Sequence, residues 1–69
     1  PLKDVCVISS DIPMESILIM DVSGKRLFEF FFENILDFSL DLSKLNNGIY
    51  FAKIRTINGN TEHKLILQK

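Results

Sequence analysis

Between Leu36 and Ser43 apolar and polar residues alternate strictly, with Leu36, Phe38, Leu40 and Leu42 separated by Asp37, Ser39, Asp41 and Ser43. Successive side chains of a strand point to opposite faces, so this stretch predicts a half-buried strand, apolar on one side and acidic and hydroxylated on the other. Gly48 to Ile57 repeats the pattern: Tyr50, Ala52 and Ile54 share one face, Lys53 and Arg55 the other, although Ile49 and Phe51 open it apolar on both sides. Glu62 to Gln68 closes the chain in the same way, with His63, Leu65 and Leu67 alternating with Glu62, Lys64, Ile66 and Gln68. Ser16 to Val22 and the shorter Val5 to Ile8 are apolar runs with β-branched residues, and both predict strands with little exposure.

Arg26 to Phe31 is the remaining element. Leu27, Phe28, Phe31, Phe32, Ile35 and Leu36 also recur at helical spacing, which leaves a helix from about Lys25 to Leu36 as the alternative. The charges oppose it: Lys25 and Arg26 would sit at the helix N-terminus and Glu33 and Asp37 at its C-terminus, each against the macrodipole by ~0.3–1 kcal/mol. No acidic residue completes a capping box after Ser23 and Gly24. A strand through Phe31, followed by a turn at Glu33 and Asn34, is the preferred reading. Under either, Phe28, Phe30, Phe31 and Phe32 are expected in the core.

Turn residues separate the runs: Ser23-Gly24, Asn46-Asn47-Gly48 and Asn58-Gly59. Asn-Gly is a strong hairpin signal, and Asn58-Gly59 should join the last two strands tightly. Ser10, Asp11 and Pro13 break the first run from the second, since proline lacks the donor that a central strand needs. Short strands at this spacing leave no room for helical crossovers. The expectation is an all-β fold, a small antiparallel β-sandwich of immunoglobulin-like type with about six to seven short strands, and residues 1–69 forming a single domain.

At 69 residues the chain buries only about 60% of the surface its unfolded form exposes, which leaves little room for a deep catalytic pocket. Hydrophobic residues at 46% and charged residues at 25% match a folded domain. A net charge of −1 provides no footprint for nucleic acid and no polybasic membrane anchor. No apolar run approaches the ~20 residues of a membrane-spanning helix, so no membrane insertion is expected. The start at Pro1 reads as a piece of a longer protein.

Candidate chemistry is sparse. Cys6 is the only cysteine, so neither an intramolecular disulfide nor a cysteine-based zinc site can form, and it reads as a small buried apolar residue. His63 has no partner by sequence logic and reads as a structural or surface histidine. Asp37, Ser39 and Asp41 suggest an oxygen site for calcium. However, alternate strand residues lie ~7 Å apart and no glycine-containing loop wraps them, so a solvated face is preferred. Gly24, Gly48 and Gly59 are too far apart for a phosphate loop, and no nucleophile elbow is present. The expectation is no enzyme, no cofactor and no metal.

Four stretches carry a resemblance. Ser16 to Lys25 (SILIMDVSGK), Leu40 to Phe51 (LDLSKLNNGIYF), Ile54 to Gly59 (IRTING) and Lys64 to Ile66 resemble, in order and spacing, the C-terminal sorting domain of the type IX secretion system of Bacteroidetes. That family shows an apolar strand ending in Asp-x-x-Gly-Lys, a Leu-x-x-Gly-Ile-Tyr strand entry, a glycine turn and a basic, apolar final strand. The departure is at the start, where a Tyr-Pro-Asn-Pro-like word is usual and only Pro1 stands here.

The resemblance implies a delivery signal for a folded N-terminal cargo domain, which reaches the periplasm and is then carried across the outer membrane to be secreted or held at the cell surface. The implied partners are the outer-membrane translocon and a sortase-like peptidase, which in many members removes the domain and joins the cargo to an anionic lipopolysaccharide. Cleavage would fall upstream of Pro1.

In physical terms, a signal read after folding needs an open edge or a distinctive surface, and edge strands supply unpaired backbone groups. The terminal strand is the candidate, with Lys64, Gln68 and Lys69 as a basic rim for acidic groups on a receptor. The competing role for these lysines is protection of an edge against aggregation. Asp21, Gly24 and Lys25 form a recognised loop or only a turn, while Gly48 and Tyr50 are expected to hold the fold. The alternative function is a generic immunoglobulin-like or fibronectin-like surface module acting as a spacer, adhesin or carbohydrate-binding unit. A third is the accessory β domain of an enzyme.

Overall fold

The computed structural model describes residues 5–68. Four antiparallel strands, β1 (Val5–Asp21), β2 (Arg26–Asp41), β3 (Gly48–Thr56) and β4 (Gly59–Leu67), form one sheet in the order β2-β1-β3-β4. Six to seven short strands of an immunoglobulin-like sandwich are expected from the sequence, and the difference has a local cause. Val5 to Ile8 and Ser16 to Asp21 merge into β1, and Arg26 to Phe31 and Leu36 to Asp41 merge into β2, while Val22, expected in a strand with little exposure, lies exposed in the turn after β1. The stretch from Lys25 to Leu36 that competed as a helix is strand from Arg26 onward.

The expected breaks survive as bends. Opposite Leu36 alone, β1 carries four residues, Ser10 to Pro13, while Phe32, Glu33 and Asn34 of β2 lie opposite Glu15 alone. Extra residues on one strand bend it and increase its twist without ending the ladder. The Ser10 hydroxyl accepts from the Ile12 N–H at 3.1 Å and donates to the Ile12 carbonyl at 2.7 Å, closing the first bend on itself. Asn34 takes φ of 56°, a left-handed conformation that asparagine tolerates better than most residues.

Dimensions require this folding back. A straight strand of 17 residues would reach about 56 Å, yet the longest dimension of the molecule is 31 Å. The link between β2 and β3, residues 42–47, spans at most about 25 Å and must connect the Val5 end of β1 to its Asp21 end. Bending brings those ends within reach. Leu42 anchors the link in the core and accepts from the Leu45 N–H at 3.0 Å, and the Ser43 N–H donates to Asp41 Oδ1 at 2.9 Å.

The core lies inside the bend. Ile8, Met14, Ile17, Ile19, Leu40, Leu42, Ala52, Ile54, Leu65 and Leu67 are buried together, with Phe28, Phe30, Phe32 and Phe38 packed against them. Phe31 departs from its expected place in the core and is 74% exposed, because strand alternation turns it to the face opposite Phe30. Leu36 also leaves the expected apolar face and is 48% exposed, displaced by the bend it sits against. Val5 and Val7, expected to show little exposure, lie on the outer side of the folded-over arm and are exposed. Cys6 is half-buried rather than fully buried, and desolvation raises its thiol pKa.

Candidate functional site

Among the described residues β4 is one edge of the sheet and is hydrogen-bonded to β3 alone. Its phase follows from the turn before it. Thr56 and Gly59 are direct partners across the two-residue turn Ile57-Asn58, which makes them a hydrogen-bonded pair. Gly59 supplies the positive φ, 124°, and the Thr56 hydroxyl donates to its carbonyl at 3.1 Å. Alternation along an antiparallel ladder then aims the N–H and C=O of Asn60, Glu62, Lys64 and Ile66 away from β3. Four residues of the terminal strand therefore present their backbone to any incoming strand. The side chains of Glu62, His63, Lys64 and Ile66 are exposed along it.

A second open edge lies nearby. β1 pairs with β3 only from Met14 to Asp21, so among the described residues the arm Val5–Ser9 is bonded on one side, to Asp37–Asp41 of β2. Ser9 Oγ donates to Asp37 Oδ1 at 2.7 Å and fixes that pairing on the outer side, where Asp37, Ser39 and Asp41 form the polar face the alternation predicts. Between the arm and the inner face of β3 and β4 runs an open groove of about 320 Å³, with Cys6 and Ile8 above, Ala52, Ile54 and Leu65 as its floor, and His63 and Lys64 at its rim. The groove and the β4 edge are thus continuous.

The other residues picked out from the sequence gather at one end of the sheet, because Asp21 is the partner of Tyr50, Tyr50 of Leu65, and Gly48 of Leu67. Asp21 Oδ1 accepts from the Ser23 hydroxyl at 2.6 Å, the Ser23 N–H at 2.9 Å and the Lys25 N–H at 3.0 Å. These bonds, the Ser23 hydroxyl first, hold the Asp21 carboxyl below its ordinary pKa. Gly24 completes the turn at φ of 88° with its N–H on the Asp21 carbonyl. Asp21, Gly24 and Lys25 therefore cap the β1–β2 hairpin.

Tyr50 donates from its hydroxyl to the Asn46 carbonyl at 2.6 Å and ties the 42–47 link to β3, with Gly48 under its ring. Lys64 lies on the open edge and Gln68 is exposed just beyond β4, whereas Lys69 falls outside the described residues.

Reading the strands separately missed the outer face that their pairing assembles. Arg26, Lys53 and Arg55 line a shallow dish with Ser16, Leu18, Glu29 and Asn60. Arg26 meets Glu29 at 3.8 Å and Arg55 meets Glu15 at 3.6 Å, both solvent-exposed pairs of the weak kind. Beside the dish run Met20 and Phe51, which are partners, and the exposed pair Ile49 and Ile66. The signal was present in the alternation of Lys53 and Arg55 with Ala52 and Ile54, but the strands beside them were not known.

Compared with protein families, the chain matches the model described as the secretion system C-terminal sorting domain over residues 1–68. No curated protein matches it. No solved structure does either.

Proposed function

Since the chain belongs to the family of secretion system C-terminal sorting domains, the sorting signals of type IX secretion, we propose that it directs a folded N-terminal cargo domain across the outer membrane by offering β4 as a docking edge. It acts as a signal and not as a catalyst. Its partners are the outer-membrane translocon, which reads the edge, and a sortase-like peptidase, which removes the domain once the cargo reaches the surface.

The observation that supports this reading is the open row of backbone donors and acceptors at Asn60, Glu62, Lys64 and Ile66 on β4. Such a row binds an incoming strand through main-chain hydrogen bonds, and the side chains beside it supply selectivity. Glu62, Lys64 and the exposed Gln68 give the edge a polar rim, with Lys64 as the group that meets acidic partners. The hairpin cap at Asp21 and the Tyr50 tether keep the strand in one register while the signal is read after folding.

The test is a reporter carrying this domain at its C-terminus in a host with the secretion machinery. Lys64→Pro removes an N–H that points away from β3, a position where an edge strand tolerates proline, so the domain should fold but stop receiving a strand. The wild-type reporter is expected at the surface and the variant in the periplasm. Surface delivery of the variant at the wild-type level sinks docking at this edge. Delivery of a reporter lacking the domain sinks the signal role altogether.

A further inference from the structure

From the charge pattern of β4 we infer that the domain self-associates through this edge, two copies pairing β4 antiparallel about a two-fold axis at His63. The inference is independent of the secretion reading, although both use the same edge.

The outward backbone groups sit at Asn60, Glu62, Lys64 and Ile66, so an antiparallel copy can pair only in registers that set these positions against one another. Cross-strand charges choose among them, because like charges directly opposite destabilise a pair and opposite charges stabilise it. Centred on His63, Glu62 lies opposite the partner's Lys64 and Lys64 opposite the partner's Glu62, while Asn60 lies opposite the partner's Ile66. Centred on Glu62, two carboxylates meet. Centred on Lys64, two ammonium groups meet.

The favoured register is also the one that pairs all nine residues of β4 from end to end. Glu62 already lies across from Lys53 of β3, so the partner's Lys64 completes a lysine–glutamate–lysine row over the junction. The product is a continuous sheet of eight strands, and a C2 contact of this kind closes after one step instead of growing into a filament. His63 sits at the axis and at the rim of the groove floored by Ala52, Ile54 and Leu65, so the two grooves open toward each other there.

Self-pairing and docking to another protein are mutually exclusive on one molecule. The paired form is therefore a protected state of an edge that would otherwise invite aggregation.

Charge reversal and disulfide trapping test this together, on the full 69-residue chain. Sedimentation should show a concentration-dependent dimer for the wild type. Glu62→Lys and Lys64→Glu alone should each weaken it about tenfold or more, since two attractive pairs become repulsive. The double reversal should restore it by setting lysine against glutamate again. With Cys6→Ser as background, His63→Cys should cross-link on mild oxidation, because Cα atoms of a non-hydrogen-bonded pair lie ~4.5 Å apart, within disulfide reach. Thr61→Cys, which faces the partner's Leu65, should not. A strictly monomeric wild type at millimolar concentration, a double reversal that fails to restore association, or cross-linking at position 61 and not at 63 overturns the inference. Export of the reporter is measured separately, so the sorting reading stands or falls on its own result.

Discussion

Phe30 and Phe38 belong to the same strand, eight residues apart, yet their ring centroids lie 4.9 Å from each other. In a straight strand they would be separated by about 26 Å. The contact is a clamp across the bend of β2, and Phe32, 4.8 Å from Phe38, is its second jaw. Aromatic pairs at this separation add to the area they bury.

Phe38→Ala is expected to cost about 2 kcal/mol, less than the ~3–5 of a fully buried phenylalanine because Phe38 is half-buried. Urea denaturation checks this, and Phe31→Ala on the outer face is the control, expected within about 0.5 kcal/mol of wild type. Equal losses at the two sites would remove the clamp from the account.

The Asp21 carboxyl has its pKa lowered on folding, by the Ser23 hydroxyl first and then by backbone N–H groups of Lys25 and Ser23. A depressed folded-state pKa means that the stabilisation is present above the unfolded-state value, about 3.9, and is lost as pH falls through the folded-state value. Asp21→Ala should therefore lower the melting temperature by a few degrees at pH 7. The gap between variant and wild type should close as pH falls below about 4. Thermal melts at stepped pH measure it, and a gap that persists in strong acid contradicts the charge-based cap.

Tyr50→Phe keeps the ring over Gly48 and removes the 2.6 Å bond to the Asn46 carbonyl. A loss of about 0.5–1.5 kcal/mol is expected, the range for one hydrogen bond. Amide exchange should locate the effect in residues 42–47, with the centre of β1 unchanged. Uniform loosening of the whole sheet would show that the tether is not local.

Asn34 adopts φ of 56°, where a β-branched side chain is strained. Asn34→Val is expected to cost about 1–2 kcal/mol, while Asn34→Gly should be close to neutral. Chemical denaturation of the two variants decides: if valine is tolerated as well as glycine, the β2 bend does not depend on this conformation.

Local pattern carries a good part of this architecture. The alternation in Leu36 to Ser43, Gly48 to Ile57 and Glu62 to Gln68 predicts which side chains of Leu40, Ala52, Ile54, Leu65 and Leu67 face inward, and these are buried. The Ser23-Gly24 turn falls between strands as expected, whereas the last hairpin turns one residue earlier than expected, at Ile57-Asn58, with Gly59 opening β4. What misleads is punctuation. Ser10 to Pro13 and Glu33-Asn34 have the composition of strand ends, yet the ladder of the opposite strand continues past them and turns them into bulges. The same bulges displace Leu36. Of the residues picked out from the sequence, Lys64 stands on the open edge, Asp21, Gly24 and Lys25 close the β1–β2 hairpin, and Gly48 and Tyr50 hold the 42–47 link against β3.

The sequence by itself determined that the chain is made of strands, which faces of those strands are apolar, and where two hairpins turn, because each of these depends on residues only a few positions apart. Its words also identified the family. Only the tertiary structure decided that β1 lies between β2 and β3, that both long strands fold back, and that β4 and the Val5–Ser9 arm are left with open edges. Partner choice among strands depends on apolar area buried between residues far apart in the chain, as between the partners Ile17 and Ile54, and no local period encodes it.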